Sequence, residues 1–355
     1  MPLPSMNVTF SKLAATASRR SGQGVVAIIV QDSVDSGLYV FRDADDVIST
    51  MSATNQAYIK SAFEGYVNRP AKVLVYVLPT DAANFEAAFT ALAAQQFDWM
   101  VCPPDCSAEN ATAAAAWISA QRENNKAKYK AVLPNTGAND PAIVNFTTDG
   151  IKVGETTYTA AGYCARIAGL IAGTPLSMST TYAPLTEVED VTRLSMADKN
   201  AAVDAGKFIL VYDGEKVKVG RGVTSLTTVT EENPEDLKKI KIVEAIDLIR
   251  YDLRLLCEDN YIGRYANSYD NKCLLLTAVK EYLVGLETDG ILEAGESVVE
   301  IDIAAQRRYL KGKGVDVSSM TDTEVKEANT DTHVFIRATI RILDAIEDIT
   351  IHVNY

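Results

Sequence analysis

Histidine is nearly missing from this chain: two among 355 residues, His333 and His352. Both fall in the C-terminal strand region, and no G-x-S-x-G elbow or H-E-x-x-H pair accompanies them. Acid-base and metal chemistry draw heavily on histidine, so its scarcity argues against catalysis. No apolar run approaches the roughly 20 residues of a membrane span. The run Val25 to Val30 is short and is closed by Asp32, which argues against a secretion signal and for folding in a cytoplasm. Cysteines number five, an odd count spread along the chain that does not resemble a disulfide framework. The Cys102-Pro-Pro-Asp-Cys106 stretch departs from the redox C-x-x-C spacing, and no second pair completes four zinc ligands. These thiols read as packed or loop residues.

Acidic residues are absent from the first 31 positions, which carry Lys12, Arg19 and Arg20, while the whole chain has a net charge of −13. That balance argues against nucleic acid as a direct partner, since phosphate binding rests on clustered Lys and Arg. Asp344, Glu347 and Asp348 cluster near the C-terminus. A basic head and an acidic tail either attract each other between subunits or form solvated charge runs. Gly206-Lys207 lacks the earlier glycine and the following Ser or Thr of a phosphate loop. Carboxylates such as Glu187, Glu189 and Asp190 show no spacing that selects a glycosidase pair or a calcium loop. Nothing here names a cofactor or a metal.

What is present is alternation. Strand signals at 25–30, 72–78, 97–102 and 130–133 interleave with helical ones at 55–67, 82–95 and 108–126, a βαβα order that predicts a parallel or mixed sheet with helices on its faces. Short strands at 143–147 and 151–158 are expected to meet at Asp149-Gly150, and a small-residue helix is expected over 159–173. Asp213-Gly214 signals a hairpin between 207–212 and 216–219. The polar stretch 222–234 reads as a link, followed by long amphipathic helices near 235–259 and 272–288. A strand at 297–301, a basic helix at 304–313 and an alternating strand at 334–343 complete the second half. The fold class is therefore α/β, or mixed α+β: a central sheet flanked by helices, then a C-terminal α+β domain, with extended arms at both ends. The organisation expected is an N-terminal arm at 1–22, an α/β part at 23–234, the α+β part at 235–343 and a C-terminal arm at 344–355.

The arms carry the strongest functional signal. Ile349, Ile351, Val353 and Tyr355 alternate with Thr350, His352 and Asn354, and Met6, Val8 and Phe10 alternate with Asn7, Thr9 and Ser11. Unblunted strand edges template pairing with other chains, so two such ends suggest a protein stitched to copies of itself. Two other classes stay open: a two-domain α/β enzyme binding a small ligand at the ends of its strands, and a non-contractile self-assembling protein.

Several stretches in order resemble the tail sheath proteins of contractile phages and R-type bacteriocins, in the small form of Gram-positive hosts. They are Arg166 to Ser177, Gly220 to Leu226, Lys239 to Glu244, Tyr261 to Arg264, Asn267 to Lys272 and the closing Val334 to Tyr355. The resemblance implies a helical jacket of subunits around a tail tube, seated on a baseplate and met by a tail terminator, which contracts to drive the tube through a cell envelope. It implies a virion tail or bacteriocin particle assembled in a bacterial cytoplasm, with no direct nucleic acid, no membrane insertion and no cofactor. Family subunits donate both arms as strands to neighbours. Carried onto this sequence, the donors are Met6, Val8 and Phe10 at one end and Ile349, Ile351, Val353 and Tyr355 at the other. The acceptor is the strand bearing Val334, Ile336, Ala338, Ile340 and Ile342. Arg307, Arg308, Lys311 and Lys313 form a basic patch that is either a tube contact or an exposed helix face. The family's central domain has been likened to a subtilisin-type fold, and the lack of histidine before His333 excludes a Ser-His-Asp triad there.

Overall fold

The computed structural model describes residues 24–354. Met6, Val8, Phe10 and Tyr355 lie outside the described residues. The chain divides into two compact units, one of residues 24–247 with 344–354, the other of residues 248–343.

The first unit is built on β1 (Val25–Gln31), β2 (Gly37–Phe41), β3 (Lys72–Leu78), β4 (Trp99–Val101), β5 (Lys130–Pro134) and β6 (Ile143–Phe146). Its helices over the same span are α1 (Ala53–Ala62), α2 (Glu86–Ala93) and α3 (Ala108–Asn125). Next come the hairpin β7 (Ile151–Val153) and β8 (Thr156–Tyr158), then α4 (Ala160–Ala172) and α5 (Met196–Asp204). The short β9 (Lys207–Phe208) precedes a second hairpin, β10 (Leu210–Tyr212) and β11 (Val217–Val219). Seven strands form the main sheet in the order β2-β3-β1-β4-β5-β6-β9. All its pairings are parallel except that of β2, which runs antiparallel along β3 with Gly37 opposite Val77. The sheet is mixed and helices cover both faces, as the alternation predicts. Strands β1 and β3 are almost continuously apolar because both of their faces are buried.

Helix α4 holds one face. Thr159 caps it, its hydroxyl accepting from the Gly162 amide, and nearly all of its residues are buried. It crosses α1 so closely that a Cβ on Gly169 would stand 2.0 Å from the Ala62 carbonyl oxygen. Only glycine permits that approach. The buried Arg166 of α4 donates to Glu187 at 2.7 Å and to the Gly65 carbonyl at 2.8 Å, and it pairs with Glu64 at 2.9 Å.

Two expectations change. Residues 151–158 are not one strand meeting 143–147 at Asp149-Gly150: they fold on themselves as the β7/β8 hairpin, turning at Gly154-Glu155, while β6 pairs with β5 and β9. Asp149 instead accepts from the Ala160 amide at 2.8 Å, so this acidic residue serves the start of α4. The segment 207–212 is not one strand: Lys207–Phe208 closes the main sheet beside β6, and only Leu210–Tyr212 joins the hairpin through Asp213-Gly214.

Residues 222–240 are tied into the first unit: the Thr224 amide donates to the Lys238 carbonyl, the Ser225 amide to that of Ile143, and the Ile240 amide to that of Gly222. Helix α6 (Ile240–Asn260) begins there. Its first turns are fixed by a charge cluster in which Lys130, 1% exposed, lies 3.0 Å from Asp247 and 3.3 Å from Glu244. Arg122 grips both oxygens of Asp247 at 2.8 and 2.9 Å. Burial alone would raise the Asp247 carboxyl, but Lys130 and Arg122 outweigh it and hold that group below its usual range. Burial dominates at Glu244, whose carboxyl is raised.

The second unit continues α6 and adds α7 (Tyr269–Thr288), β12 (Val298–Ile301), α8 (Ile303–Gly312), α9 (Asp322–Glu327) and β13 (Ile336–Thr339). Its centre includes Tyr282, which donates to Asp252 at 3.0 Å, along with Leu275, Leu283 and Leu286. Strands β12 and β13 form an antiparallel pair with Val298 opposite Thr339 and Ile301 opposite Ile336.

Candidate functional site: two assembly surfaces

The first surface is the C-terminal segment, and it has a root and a tip. At the root, Asp344 pairs with Lys239. Glu347, with its side chain only 11% exposed, binds Arg221 Nε at 2.7 Å, Thr181 Oγ1 at 2.5 Å and Ser179 Oγ at 3.0 Å. Asp348 takes the other end of the same guanidinium at 2.9 Å. The geometry explains the Gly220-Arg-Gly222 stretch, because the Gly222 amide donates to Thr181 Oγ1 and a Cβ there would meet Thr180 Oγ1 at 2.4 Å. Among the described residues the acidic cluster latches onto its own chain, with Asp348 itself 87% exposed; the basic head lies outside the described residues.

Beyond Asp348 the character reverses. Ile349, Ile351 and Val353 are 72%, 76% and 77% exposed, and residues 349–354 pair with no strand among the described residues. Three aliphatic side chains at a spacing of two, left in water, form an apolar strip with no strand partner among the described residues.

The second surface is the edge of β13. Regular pairing covers only Ile336–Thr339, shorter than the expected 334–343, although Leu292 bridges Ile342 further along. The ladder slips because the β12 side turns away over residues 293–297 before rejoining. Through this slip the β13 side keeps its parity. The Asp302 amide donates to the Phe335 carbonyl, the Glu293 amide to that of Arg341, and the Leu343 amide to the Ile291 carbonyl. Odd-numbered residues therefore face β12. In an antiparallel ladder alternate residues aim their N–H and C=O the other way, so Val334, Ile336, Ala338, Ile340 and Ile342 present theirs to the opposite edge. No strand among the described residues pairs there. Their side chains share one face; Val334 is 39% exposed, Ala338 is exposed and Ile336, Ile340 and Ile342 are half-buried.

The basic patch on α8 divides. Arg307 donates to the carbonyls of Val317 and Met320 and pairs with Asp322 at 2.8 Å, fastening the following loop, and Lys313 pairs with Asp331 at 3.2 Å. Arg308 and Lys311 are exposed.

At the strand ends where an α/β enzyme would place its site, Asp32 follows β1, but its carboxylate is occupied. It accepts from the Ser33 and Ser52 amides and from Asn55 Nδ2 at 2.7, 2.9 and 2.7 Å, and although burial works to raise its pKa, these donors lower it to about 2. Cys102 and Cys106 are free thiols, the first buried with its main-chain carbonyl accepting from Tyr58. Among the described residues no His, Cys, Asp and Glu group is placed to hold a metal, and no helix is long and apolar enough to cross a membrane.

Sequence reasoning missed the root residues Lys239, Arg221, Ser179 and Thr181, whose partners lie more than a hundred positions away. The only local signal was the glycine pair flanking Arg221.

The phage tail sheath protein central domain matches residues 53–225, and the phage tail sheath C-terminal domain matches residues 232–355. A tail sheath protein of Clostridium phage phiCD119 is 38% identical over 99% of both chains. In fold, the chain is similar to a sheath tail protein from Listeria innocua, with a TM-score of 0.71 at 14% identity, covering 95% of this chain and 99% of that one. It is equally similar to the contracted helical sheath of the anti-feeding prophage, again at a TM-score of 0.71 and 14% identity, over 100% of this chain and 99% of the other. This chain belongs to the phage tail sheath protein family, as a structural subunit of a tail sheath.

Proposed function

We propose that copies of this chain polymerise helically around a tail tube, in a particle seated on a baseplate and closed by a tail terminator, and that the jacket contracts to drive the tube through a cell envelope. Residues 349–355 serve as a donor strand for the free edge of β13 in another copy. Met6, Val8 and Phe10 serve the same purpose from the N-terminal side. The family domains are taken as residues 23–234 and 235–343, with arms at 1–22 and 344–355, while the compact packing of the first unit runs on to Asp247. Arg308 and Lys311 are the exposed remainder of the patch offered to the tube. Assembly takes place in a bacterial host cytoplasm, without direct contact to nucleic acid or insertion into a membrane.

The observation that carries this reading is the apolar strip Ile349, Ile351 and Val353, exposed along its length in its own chain. An edge with unpaired main-chain groups is its natural complement, since strand addition satisfies those groups and covers the strip together. Removing residues 349–355 is expected to leave a folded, soluble subunit that no longer forms long hollow polymers in the electron microscope. Loss of the fold would place the strand in its own subunit's core and sink the reading.

A further inference from the structure

Strand β4 and the Cys102 that follows it are buried throughout. Alternation along this stretch puts Trp99 and Val101 in the core beneath α4, and Met100 and Cys102 in the core beneath α2 and α3. The chain then turns back at once. Pro103 and Pro104 each fix a backbone angle, and the Cys106 amide donates to the Pro103 carbonyl at 3.0 Å. Ser107 caps α3, its hydroxyl accepting from the Asn110 amide at 3.2 Å. Cys106, half-buried, therefore rests against the same core as Cys102. There the Cys102 thiol hydrogen-bonds to that of Cys106, whose own S–H turns to the Ser107 carbonyl at 3.3 Å. A spacing that departs from C-x-x-C in sequence is brought into contact by the turn.

We propose that Cys102 and Cys106 are a redox-convertible pair, which closes a disulfide under oxidising conditions and ties the end of β4 to the start of α3. Sulfurs already in contact need little backbone movement to bond. The half-buried Cys106 meets the oxidant first, a small-molecule disulfide. Its thiolate attacks one sulfur of that molecule, releasing one small thiol and leaving a mixed disulfide on Cys106. Cys102 then gives its proton to solvent and attacks Cys106 Sγ. The protein S–S bond forms as the bond to the second small thiol breaks. Two protein thiols are oxidised to one disulfide, and the small disulfide is reduced to two thiols. The adjoining Cys106 thiol, together with burial, pushes the Cys102 thiol up, so the second step sets the pace. Reducing surroundings keep the pair open, and oxidising ones close it.

The test treats the native full chain with oxidised glutathione at about pH 8, where thiolates begin to form, and then digests it with trypsin without reduction. The peptide 73–122 holds Cys102 and Cys106 and no other cysteine. Pairing is expected to leave that peptide resistant to alkylation and lighter by two hydrogens, and an excess of small dithiol is expected to reverse both changes. Hydrogen exchange in the first turn of α3 is expected to slow by about threefold or more in the oxidised chain. Cys106→Ser is expected to leave Cys102 free for alkylation after unfolding. Cys102→Ala, the second variant should the first fail to fold, is expected to stop at glutathione on Cys106. A native chain whose peptide 73–122 takes two alkyl groups, or keeps glutathione on Cys106, overturns the pair. A bond from either residue to Cys164, Cys257 or Cys273 overturns it as well. A bond that forms without slowing the exchange overturns the fastening of α3 and leaves the pairing standing.

Discussion

Replacing Ile349, Ile351 and Val353 together by serine separates an assembly strand from a core strand. The three side chains are about three-quarters exposed in the subunit, so most of their apolar surface is still available for burial on assembly. Full burial of an Ile or Val contributes ~1.5–3 kcal/mol, which leaves ~4–6 kcal/mol for the row once the part already covered is discounted. At ~1.4 kcal/mol per decade that is a loss of roughly 10³ to 10⁴ in the association constant of each joint. Ile351→Ser alone is expected to cost about tenfold. The main-chain ladder survives both substitutions, so the polymer weakens rather than vanishing. The assay is the critical concentration for polymerisation by light scattering, with thermal unfolding of the subunit as the companion measurement. Because the row touches little of its own chain, the melting temperature should stay within about 2 °C. A drop of about 5 °C or more, or an unchanged critical concentration, would refute the argument that these side chains are held for another copy.

Four other outcomes follow from the packing. Gly169→Ala is expected to destabilise the first unit by about 1–3 kcal/mol, since the new Cβ must force α4 away from the Ala62 carbonyl; thermal unfolding reads it. Lys130→Met leaves Asp247 to Arg122 alone and Glu244 unpaired at that site, a loss of about 3–5 kcal/mol measurable by denaturant titration. Acid should unfold the protein through Asp98 and Asp247: burial works to raise both carboxyls, but lysine charges, joined by Arg122 at Asp247, hold them below the usual range. Their folded values thus lie under the unfolded value of about 3.9, so the stability they confer is present above about pH 4 and is lost as the pH falls through the folded values. Melting temperature recorded from pH 7 to pH 3 checks this, and Asp247→Asn should flatten the acid limb. Finally, Glu347→Ala removes the acceptor shared by Arg221, Thr181 and Ser179, so trypsin should cleave after Arg341 faster by about tenfold.

The sequence made legible those elements whose cause is local. The run Lys72–Leu78 is apolar on both faces and is a central strand over those same residues. The helix at 159–173 announces itself by a capping threonine and a terminal glycine, and the terminal strip by its period of two. What failed depended on distant partners. Strand β2 begins at Gly37 of a Ser36-Gly37 pair that has the composition of a turn, and only the β3 edge makes it a strand. Asp149-Gly150 has the composition of a hairpin turn, yet the Ala160 amide claims the carboxylate. Lys130 opens an apolar run, and its burial is accounted for by Asp247 and Glu244, both more than a hundred positions away. At the assembly surfaces, alternation gave the even-numbered face of 334–342 but not the edge, which depends on which residues bond to the β12 side.

The arm divides two tasks between two kinds of interaction. Its root is held by side-chain ion pairs, which are directional and specific to Arg221 and Lys239, and which fix where the arm leaves its own subunit. The tip offers main-chain groups and an aliphatic row, whose energy is short-ranged and insensitive to salt. A lattice that shortens and widens must let subunits turn relative to one another without letting go. In the proposed lattice a strand ladder tolerates such turning because its bonds lie along one line, and the root tied to its own chain would set the pivot at residues 344–348. Exposed ion pairs are weak individually, but Glu347 is 11% exposed and shared among three donors, which anchors the base of the arm to its own chain.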